Sequence, residues 1–506
     1  MSNLEAREAA LADQPDATAD PGSGAGAGPA RPLVVDMDGT LTRSDTLHEA
    51  MLLFAARHPA RLPALLPALR AGKAAFKRRL ADATLAETAS LPLNETVLEL
   101  LRRARSEGRR TLLVSAADQR QVEAMAARVG LFDEAHGTGG AGEAGPNLSG
   151  AAKARFLVER FGRGGFDYVG DSREDLAVWS EAREAITVGA APALRAAAER
   201  ANPRARHLAP RPEGLDALAP YLRALRPHQW LKNVLVFLPV LAAHDPGALG
   251  TALAAFVAFS LTASSVYLIN DLLDLSADRA HATKRARPFA SGALPVSRGL
   301  LLAPLLALAA LAVALAFAPP LVLGVLALYY ALTFAYSLVL KRKLIVDVWT
   351  LAGLYTLRIL GGAAATATAL SPWMLAFSMF LFLSLAAVKR QAELGRLAGS
   401  GKGGAGGRAY RADDLPVLRE IALAAGYAAV LVFALYINSP KVVELYSRPE
   451  LLWLVCPLLL YWVSWMVMVT HRGRMTDDPM VFAMKSRISL TVVAMAGAAA
   501  LAAAFA

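Results

Sequence analysis

The sequence predicts two folds in one chain: an α/β domain with a mostly parallel sheet, then an all-α polytopic membrane domain of about nine helices. Three observations carry this. Short apolar strands alternate with charged, helix-forming stretches between residues 31 and 205. Beyond Asn233 the chain becomes a series of apolar segments, each near bilayer length. In that apolar half, Lys and Arg gather in alternate loops. Composition agrees, because 506 residues exceed one compact domain and a hydrophobic fraction of 55% exceeds that of an ordinary soluble protein. A net charge of +11 would suit nucleic acid, but the bases of the apolar half sit in loops as membrane proteins place them. The bilayer is therefore the expected partner, and nucleic acid is not. Cys456, the single cysteine, lies in an apolar run and forms no internal disulfide. A homo-oligomer is compatible with all of this.

Taken in order, residues 1–30 are acidic and then Gly/Ala-rich, without the basic start and apolar core of a signal peptide. They read as a disordered leader. The α/β domain, 31–205, takes its strands from Leu33–Asp36, Thr111–Ser115 and Phe166–Gly170. An insert at about 43–90, helical from Leu47 to Leu80, reads as a small cap. Pro203, Pro210 and Pro212 break the pattern, so 206–225 is a linker with an amphipathic segment from Leu215 to Leu225. Trp230, with bases on either side, marks arrival at the membrane interface, and 226–506 is the membrane domain.

The expected spans are 233–249, 251–269, 299–318, 320–340, 345–366, 372–388, 418–437, 450–470 and 487–505. Loops after the second, fourth, sixth and eighth carry most of the bases; the alternate loops carry only Lys441 and Arg448. This bias puts the basic loops and the α/β domain in the cytoplasm and the C-terminus outside. The Gly-rich stretch 399–407 reads as a mobile loop.

In the first domain, Asp36-Met-Asp38-Gly-Thr40 follows the first strand directly. Carboxylates at a strand's C-terminal end sit where α/β sites form. Two of them can divide nucleophilic from acid–base work. Ser115, Lys153 after Ser149-Gly150, and Gly170-Asp171-Ser-Arg-Glu-Asp175 follow in order. This set resembles the haloacid dehalogenase (HAD) phosphatase superfamily. The resemblance implies Asp36 as nucleophile, Asp38 as acid and base, and Ser115 and Lys153 as phosphate holders. It implies Mg²⁺ on Asp36, Asp38 and Asp171, with Asp175 in support. Lys73, Lys77, Arg78 and Arg79 of the cap are candidate selectors of an anionic substrate or a solvated helix face.

In the second domain the informative run is Asn270-Asp271-Leu-Leu-Asp274-Leu-Ser-Ala-Asp278, at the end of an apolar segment. Carboxylates there are costly and usually functional. On a helix Asn270, Asp274 and Asp278 line one face, with Asp271 about 100° away in a supporting role. Oxygen donors of this kind suit Mg²⁺ and hence phosphate oxygens. The run resembles the first motif, NDxxDxxxD, of the UbiA superfamily of intramembrane prenyltransferases. Their second motif, DxxxD, has one aspartate here, Asp347, among several bases.

Other runs resemble the decaprenyl-phosphate phosphoribosyltransferase branch: Arg226-Pro-His-Gln-Trp-Leu-Lys232-Asn233, His281-Ala-Thr-Lys284-Arg-Ala-Arg287-Pro288, Leu357-Arg358, Lys389-Arg390, and Arg408-Ala-Tyr410. The resemblance implies transfer of 5-phosphoribose from phosphoribosyl pyrophosphate (PRPP) to a polyprenyl phosphate. Substrate binding would fall to Lys232, Asn233, Lys284, Arg287, Arg358, Lys389, Arg390, Arg408 and Tyr410. Arg358, mid-span, needs a partner such as Asp347 or the substrate itself. Around Asp478 the resemblance calls for Asp where Ser486 stands, so that loop receives no role. The expected whole is a two-step enzyme in the bacterial inner membrane: transfer, then removal of the 5-phosphate by the first domain. A prenyltransferase acting on an aromatic acceptor, and a transporter or anchor for a phosphatase, are the alternatives.

Overall fold

The computed structural model describes residues 31–70, 72–139, 147–209, 213–399, 409–475 and 478–505. The leader 1–30, Arg408 and the Gly-rich stretch beyond Gly399 lie outside the described residues.

A six-stranded parallel sheet in the order β3-β2-β1-β4-β5-β6 forms the first domain. Its strands are β1 (Leu33–Val35), β2 (Thr111–Asp118), β3 (Glu134–Thr138), β4 (Asp167–Gly170), β5 (Ala185–Val188) and β6 (Ala205–Leu208). The sheet therefore runs past residue 205. Alternation along β1 shows why it is central. Leu33 and Val35 pack with Val97, Leu101, Val122 and Met125 on one face, and Val34 packs with Leu157 and Trp179 on the other.

Helices cover both faces: α3 (Glu95–Ser106) and α4 (Gln119–Val129) on one, α5 (Gly150–Phe161) on the other. Between β1 and α3 lies the expected helical insert, chiefly α1 (Thr46–Arg57) and α2 (Lys73–Thr84). Pro59 and Pro63 turn the chain between them, and Phe54, Leu65 and Leu80 close a small core of their own.

The helix Leu215–Leu225 leads to the membrane domain. There, among the described residues, eight helices are long and apolar enough to cross a bilayer. Seven are α6 (Leu249–Leu273), α8 (Val296–Phe317), α9 (Pro320–Leu338), α10 (Val346–Thr366), α11 (Pro372–Gly399), α12 (Leu415–Ile437) and α13 (Val455–His471). Short α7 (Leu275–Ala280) continues α6, and short α14 (Pro479–Lys485) precedes the eighth long helix, α15 (Arg487–Phe505). α6 and α10 are central: α6 buries Ala252, Ala255, Ala258, Ser260, Ser264 and Ser265, small residues that let neighbours approach. α8 exposes Leu301, Leu305, Leu308 and Leu315, as a lipid-facing helix does.

The segment expected as the first span is no regular membrane helix. It is a 3-10 helix, Pro227–Phe237, running into a short α-helix, Leu238–Ala243. Its partners nevertheless follow α6 from end to end. Arg226 meets Asp271, Trp230 donates to Ser264, Asn233 donates to Ser260, and Phe237 packs on Phe256. At about 2.0 Å per 3-10 residue and 1.5 Å per α residue it advances roughly 31 Å, a hydrocarbon thickness. It thus traces a ninth pass, in a form that helix length alone would miss.

Close backbone approach holds this pass in place. A Cβ on Gly362 of α10 would fall 2.0 Å from the Val236 carbonyl oxygen, whereas one on Gly353 meets nothing. Gly362→Ala is expected to destabilise the membrane domain by about 2 kcal/mol through overpacking, with Gly353→Ala neutral or stabilising. Thermal unfolding of the two variants in detergent checks this; equal melting temperatures would show that the pass does not depend on the contact.

Candidate active sites

The first site lies at the C-terminal ends of β1, β2 and β4. Asp36 follows β1, Ser115 is in β2, and Asp171 and Asp175 follow β4. Lys153 comes from the first turn of α5. Its Nζ donates to Asp36 Oδ1 and to Tyr168 Oη, both at 2.8 Å. Tyr168 in turn donates to Asp175 Oδ1 at 2.8 Å. The other Asp175 oxygen accepts from the Asp171 and Ser172 amides and the Ser172 hydroxyl. Ser115 Oγ accepts from the Ala117 amide at 3.1 Å.

Asp36, Asp171 and Asp175 bring one carboxylate oxygen each to within 4.8 Å of one another. Burial, opposed in part by Lys153, pushes Asp36 up to about 6. Burial and the neighbouring carboxylates Asp36 and Asp175 hold Asp171 well above the usual range. Burial works against the Lys153 ammonium, but Asp36 and Asp175 outweigh it and its pKa rises. Such crowding is costly without a cation. The donor set is all oxygen, as Mg²⁺ requires. Gly39 is needed beside it, since a Cβ there would sit 2.2 Å from Asp171 Oδ2. The three carboxylates therefore fit a divalent ion.

One expectation is corrected. Asp38, counted among the metal ligands, instead accepts from the Thr46 amide at 2.9 Å and hydroxyl at 3.0 Å, and Asp175 takes its place in the cluster. The Asp38 carboxyl, raised to about 7 by burial and then by Asp45, suits proton transfer near neutrality. Of the cap bases, Lys77 reaches the site's edge, donating to Ala116 O at 2.6 Å and Asn147 Oδ1 at 3.3 Å. Arg78 and Arg79 are exposed, and the Lys73 side chain lies outside the described residues.

The second site is built where α6 ends. Asp274 caps α6, and the i+4 backbone bonds Asn270–Asp274 and Asp274–Asp278 keep the helical register into α7. The expected face of Asn270, Asp274 and Asp278 is not what gathers, however. Asp271 and Asp278, seven residues apart, are the buried pair, joined by Arg287 Nη1 at 3.1 and 2.6 Å. Arg226 donates to both Asp271 oxygens at 2.5 and 2.8 Å. Asp274 turns to Lys341 at 3.4 Å. The reason is electrostatic: a carboxylate near hydrocarbon must find a cation, and the guanidinium groups lie on the Asp271 side. The donors suit Mg²⁺ by type, but each carboxylate is paired with a base rather than drawn to a common point.

A second polar cluster surrounds Asp478. Lys232 and Lys389 each reach its Oδ2 at 2.8 Å, and Tyr355 donates to Oδ1 at 3.2 Å. Beside it, Arg358 donates to Asn233 Oδ1 and Tyr329 Oη, both at 2.8 Å, and lies over the Tyr329 and Tyr355 rings. Arg358 is thus partnered, but not by Asp347. Asp347 pairs with Arg390 at 2.7 Å, both fully buried, and Arg390 also reaches Glu393 and lies over Tyr410. Tyr410 accepts from the Ile345 amide at 3.1 Å. Arg390 and Tyr410, expected to bind substrate, here contact Asp347 and Ile345 beside the turn that carries Lys341. Lys284 is exposed after α7, and Arg408 is outside the described residues.

Residues 234–490, half of the chain, match the UbiA prenyltransferase family, and residues 33–180 match the haloacid dehalogenase-like hydrolases. The chain belongs to the UbiA prenyltransferase family. It carries a HAD-like domain before the UbiA domain. It is 38% identical to the uncharacterized protein y4nM of Sinorhizobium fredii over 92% of this chain and 90% of that one, a match that spans both domains. It is 35% identical to the nodulation protein NoeC of Azorhizobium caulinodans, over 54% of this chain and 89% of that protein. It is 40% identical to decaprenyl-phosphate phosphoribosyltransferase of Mycobacterium tuberculosis over 186 residues, which are 35% of this chain and 61% of that enzyme.

Within the UbiA domain, sequence reasoning missed Asp478, Arg226, Tyr329 and Tyr355 as parts of the polar clusters. The signal for Asp478 was local: Asp before Pro479 is a helix N-cap, and its side chain does accept from the Met480 amide at 3.2 Å. Asp478→Asn would remove the carboxylate shared by buried Lys232 and partly buried Lys389. It is expected to cost about 3 kcal/mol, whereas Ser486→Asp is close to neutral. Melting temperatures of both variants test the difference.

Proposed function

We propose that this protein transfers 5-phosphoribose from PRPP to a polyprenyl phosphate and then removes the 5-phosphate, yielding polyprenyl-phosphoryl-ribose. The observation that carries the reading is the pair of basic clusters in the UbiA domain. Arg226 and Arg287 gather at Asp271; Lys232, Lys389 and Arg358 gather near Asp478. Lys232 lies between residues that bond Ser264 and Ser260, so it sits roughly 10–16 Å along α6 from Asp271. A donor with phosphate at both ends needs two such anchors, and a prenyl diphosphate needs one. Identity to decaprenyl-phosphate phosphoribosyltransferase supports the same choice.

In the transfer, the bond from ribose C1 to diphosphate breaks and a lipid phosphate oxygen bonds to C1. The nucleophile is already anionic, so no general base is required. The cations that hold the aspartates in this state carry the charge that diphosphate brings. Positioned charges in a site poor in water stabilise its departure strongly. Mg²⁺, when bound by the aspartate run, would supply further charge there. In the second step Asp36 attacks the 5-phosphate and Asp38 protonates the ribose oxygen that leaves. Asp38 then takes a proton from the water that releases phosphate from Asp36. Lys153 and Ser115 hold the phosphate, and Asp36, Asp171 and Asp175 would hold Mg²⁺. The charge bias of the loops supports a cytoplasmic position for both sites.

The test is to incubate the purified protein with PRPP, Mg²⁺ and polyprenyl phosphate and to weigh the lipid product. Intact protein should yield the dephosphorylated lipid, and Asp36→Asn should stop at the phosphorylated one. Identical products from both would end the phosphatase assignment. Asp274→Asn and Asp278→Asn should each abolish lipid labelling. The rival, prenyl transfer to an aromatic acceptor, predicts that prenyl diphosphate displaces PRPP from the site. Binding competition between the two decides which donor is used.

A further inference from the structure

The cap of the HAD-like domain and the aspartate run of the UbiA domain meet at an enclosed charge pair. Arg279 follows Asp278 in α7. It donates from Nη1 to Glu49 Oε2 at 2.7 Å and from Nη2 to Glu49 Oε1 at 2.6 Å. Its Nε donates to the Ala290 carbonyl at 3.1 Å. The two side chains are 7% and 13% exposed. A bidentate guanidinium–carboxylate pair fixes orientation as well as distance, and enclosed it is costly to break. Apolar contact reinforces it: Leu52, farther along α1, packs on the membrane-domain core of Leu268, Leu272 and Phe289. Backbone contact does too, since a Cβ on Gly292 would fall 2.4 Å from Arg43 Cβ.

The same helix holds Asp38. Thr46, first residue of α1, donates its amide and hydroxyl to the Asp38 carboxylate. Glu49 is three residues on, within the same turn. One helical turn therefore connects Asp38 to Arg279, and one peptide bond connects Arg279 to Asp278, held by Arg287. Nothing in the phosphatase chemistry itself asks for this clasp, and neither Glu49 nor Arg279 touches the cluster at Asp36.

We infer that Glu49 and Arg279 are positioning residues, through which the membrane aspartate site sets the placement of Asp38. The inference rests on the phosphatase reading above. Its consequence is that the first turn of α1 is ordered from the membrane side. Displacing a catalytic group by about 1 Å can cost on the order of a hundredfold in rate.

The experiment uses the full chain in detergent and takes two readouts. One is hydrogen exchange of amides 45–50; the other is Mg²⁺-dependent hydrolysis of a small water-soluble phosphomonoester. Glu49→Gln and Arg279→Gln should each speed exchange in α1 and lower kcat about tenfold, with KM within twofold. The exchanged pair, Glu49→Arg with Arg279→Glu, should recover most of both. Unchanged exchange in the single variants would overturn the inference. So would faster exchange with unchanged kcat while Asp36→Asn remains inactive, which leaves the phosphatase reading standing. If the wild-type chain hydrolyses no phosphomonoester, that reading fails by itself and exchange alone decides the clasp.

Discussion

Asp271 is the charge on which the membrane domain is assembled. It is buried at the end of α6, and a carboxylate in that position cannot stand alone. Arg226 answers it from the chain that leads into the membrane, and Arg287 answers it from the loop after α7. Arg287 then reaches Asp278. One carboxylate thus joins the lead-in, α6 and the basic loop. The composite pass from Pro227 to Ala243 starts from this point and is held along α6 by further polar contacts at Ser264 and Ser260.

The same rule shapes the rest of the interior. Among the described residues, buried charges of the helix bundle meet a counter-charge, an amide or a tyrosine: Asp478 with two lysines, Asp347 with Arg390, Arg358 with Asn233 and Tyr329. These pairings sort residues by role. Asp347 and Arg390, wholly buried and paired with each other, join helices α10 and α11. Asp271 and Asp478 each hold two bases, and partly exposed Asp274 and Lys341 pair beyond the end of α6. In the HAD-like domain the logic is reversed. Three carboxylates crowd together with one lysine, an arrangement completed by a cation rather than by an anion.

Much of this was legible in the chain. The short apolar strands, the insert after the first strand and the long apolar runs are each read from the local pattern of apolar and charged residues. Asp36, Asp38, Ser115, Lys153, Asp171 and Asp175 were picked out by their resemblance to the HAD set; Asp36 and Asp171 follow strand ends, where topology gathers residues, whereas Lys153 comes from a helix. What failed was the choice of partner. Helical spacing selected Asn270, Asp274 and Asp278, since it sees only one helix. The guanidinium of Arg287, in the loop after α7, joins Asp271 to Asp278 instead, and Arg226 reaches Asp271 from another segment. Asp347 was offered to Arg358 for want of a closer candidate, and Arg390 of the adjacent helix takes it. Asp478 was set aside because of Ser486, although its own role depends on Lys232, 246 residues away.

By itself, the sequence determined the order of the two domains, the parallel sheet, the helical cap, the passes through the membrane and the residue types of both sites. Those are consequences of periodicity, hydropathy and short motifs, all readable over a few residues. Only the tertiary structure decided which charges neutralise one another, that the first pass is a 3-10 helix, and that Glu49 of the cap grips Arg279 beside the membrane aspartates. Buried charges choose partners by proximity in space at low dielectric, and proximity between distant segments is set by packing, not by spacing along the chain.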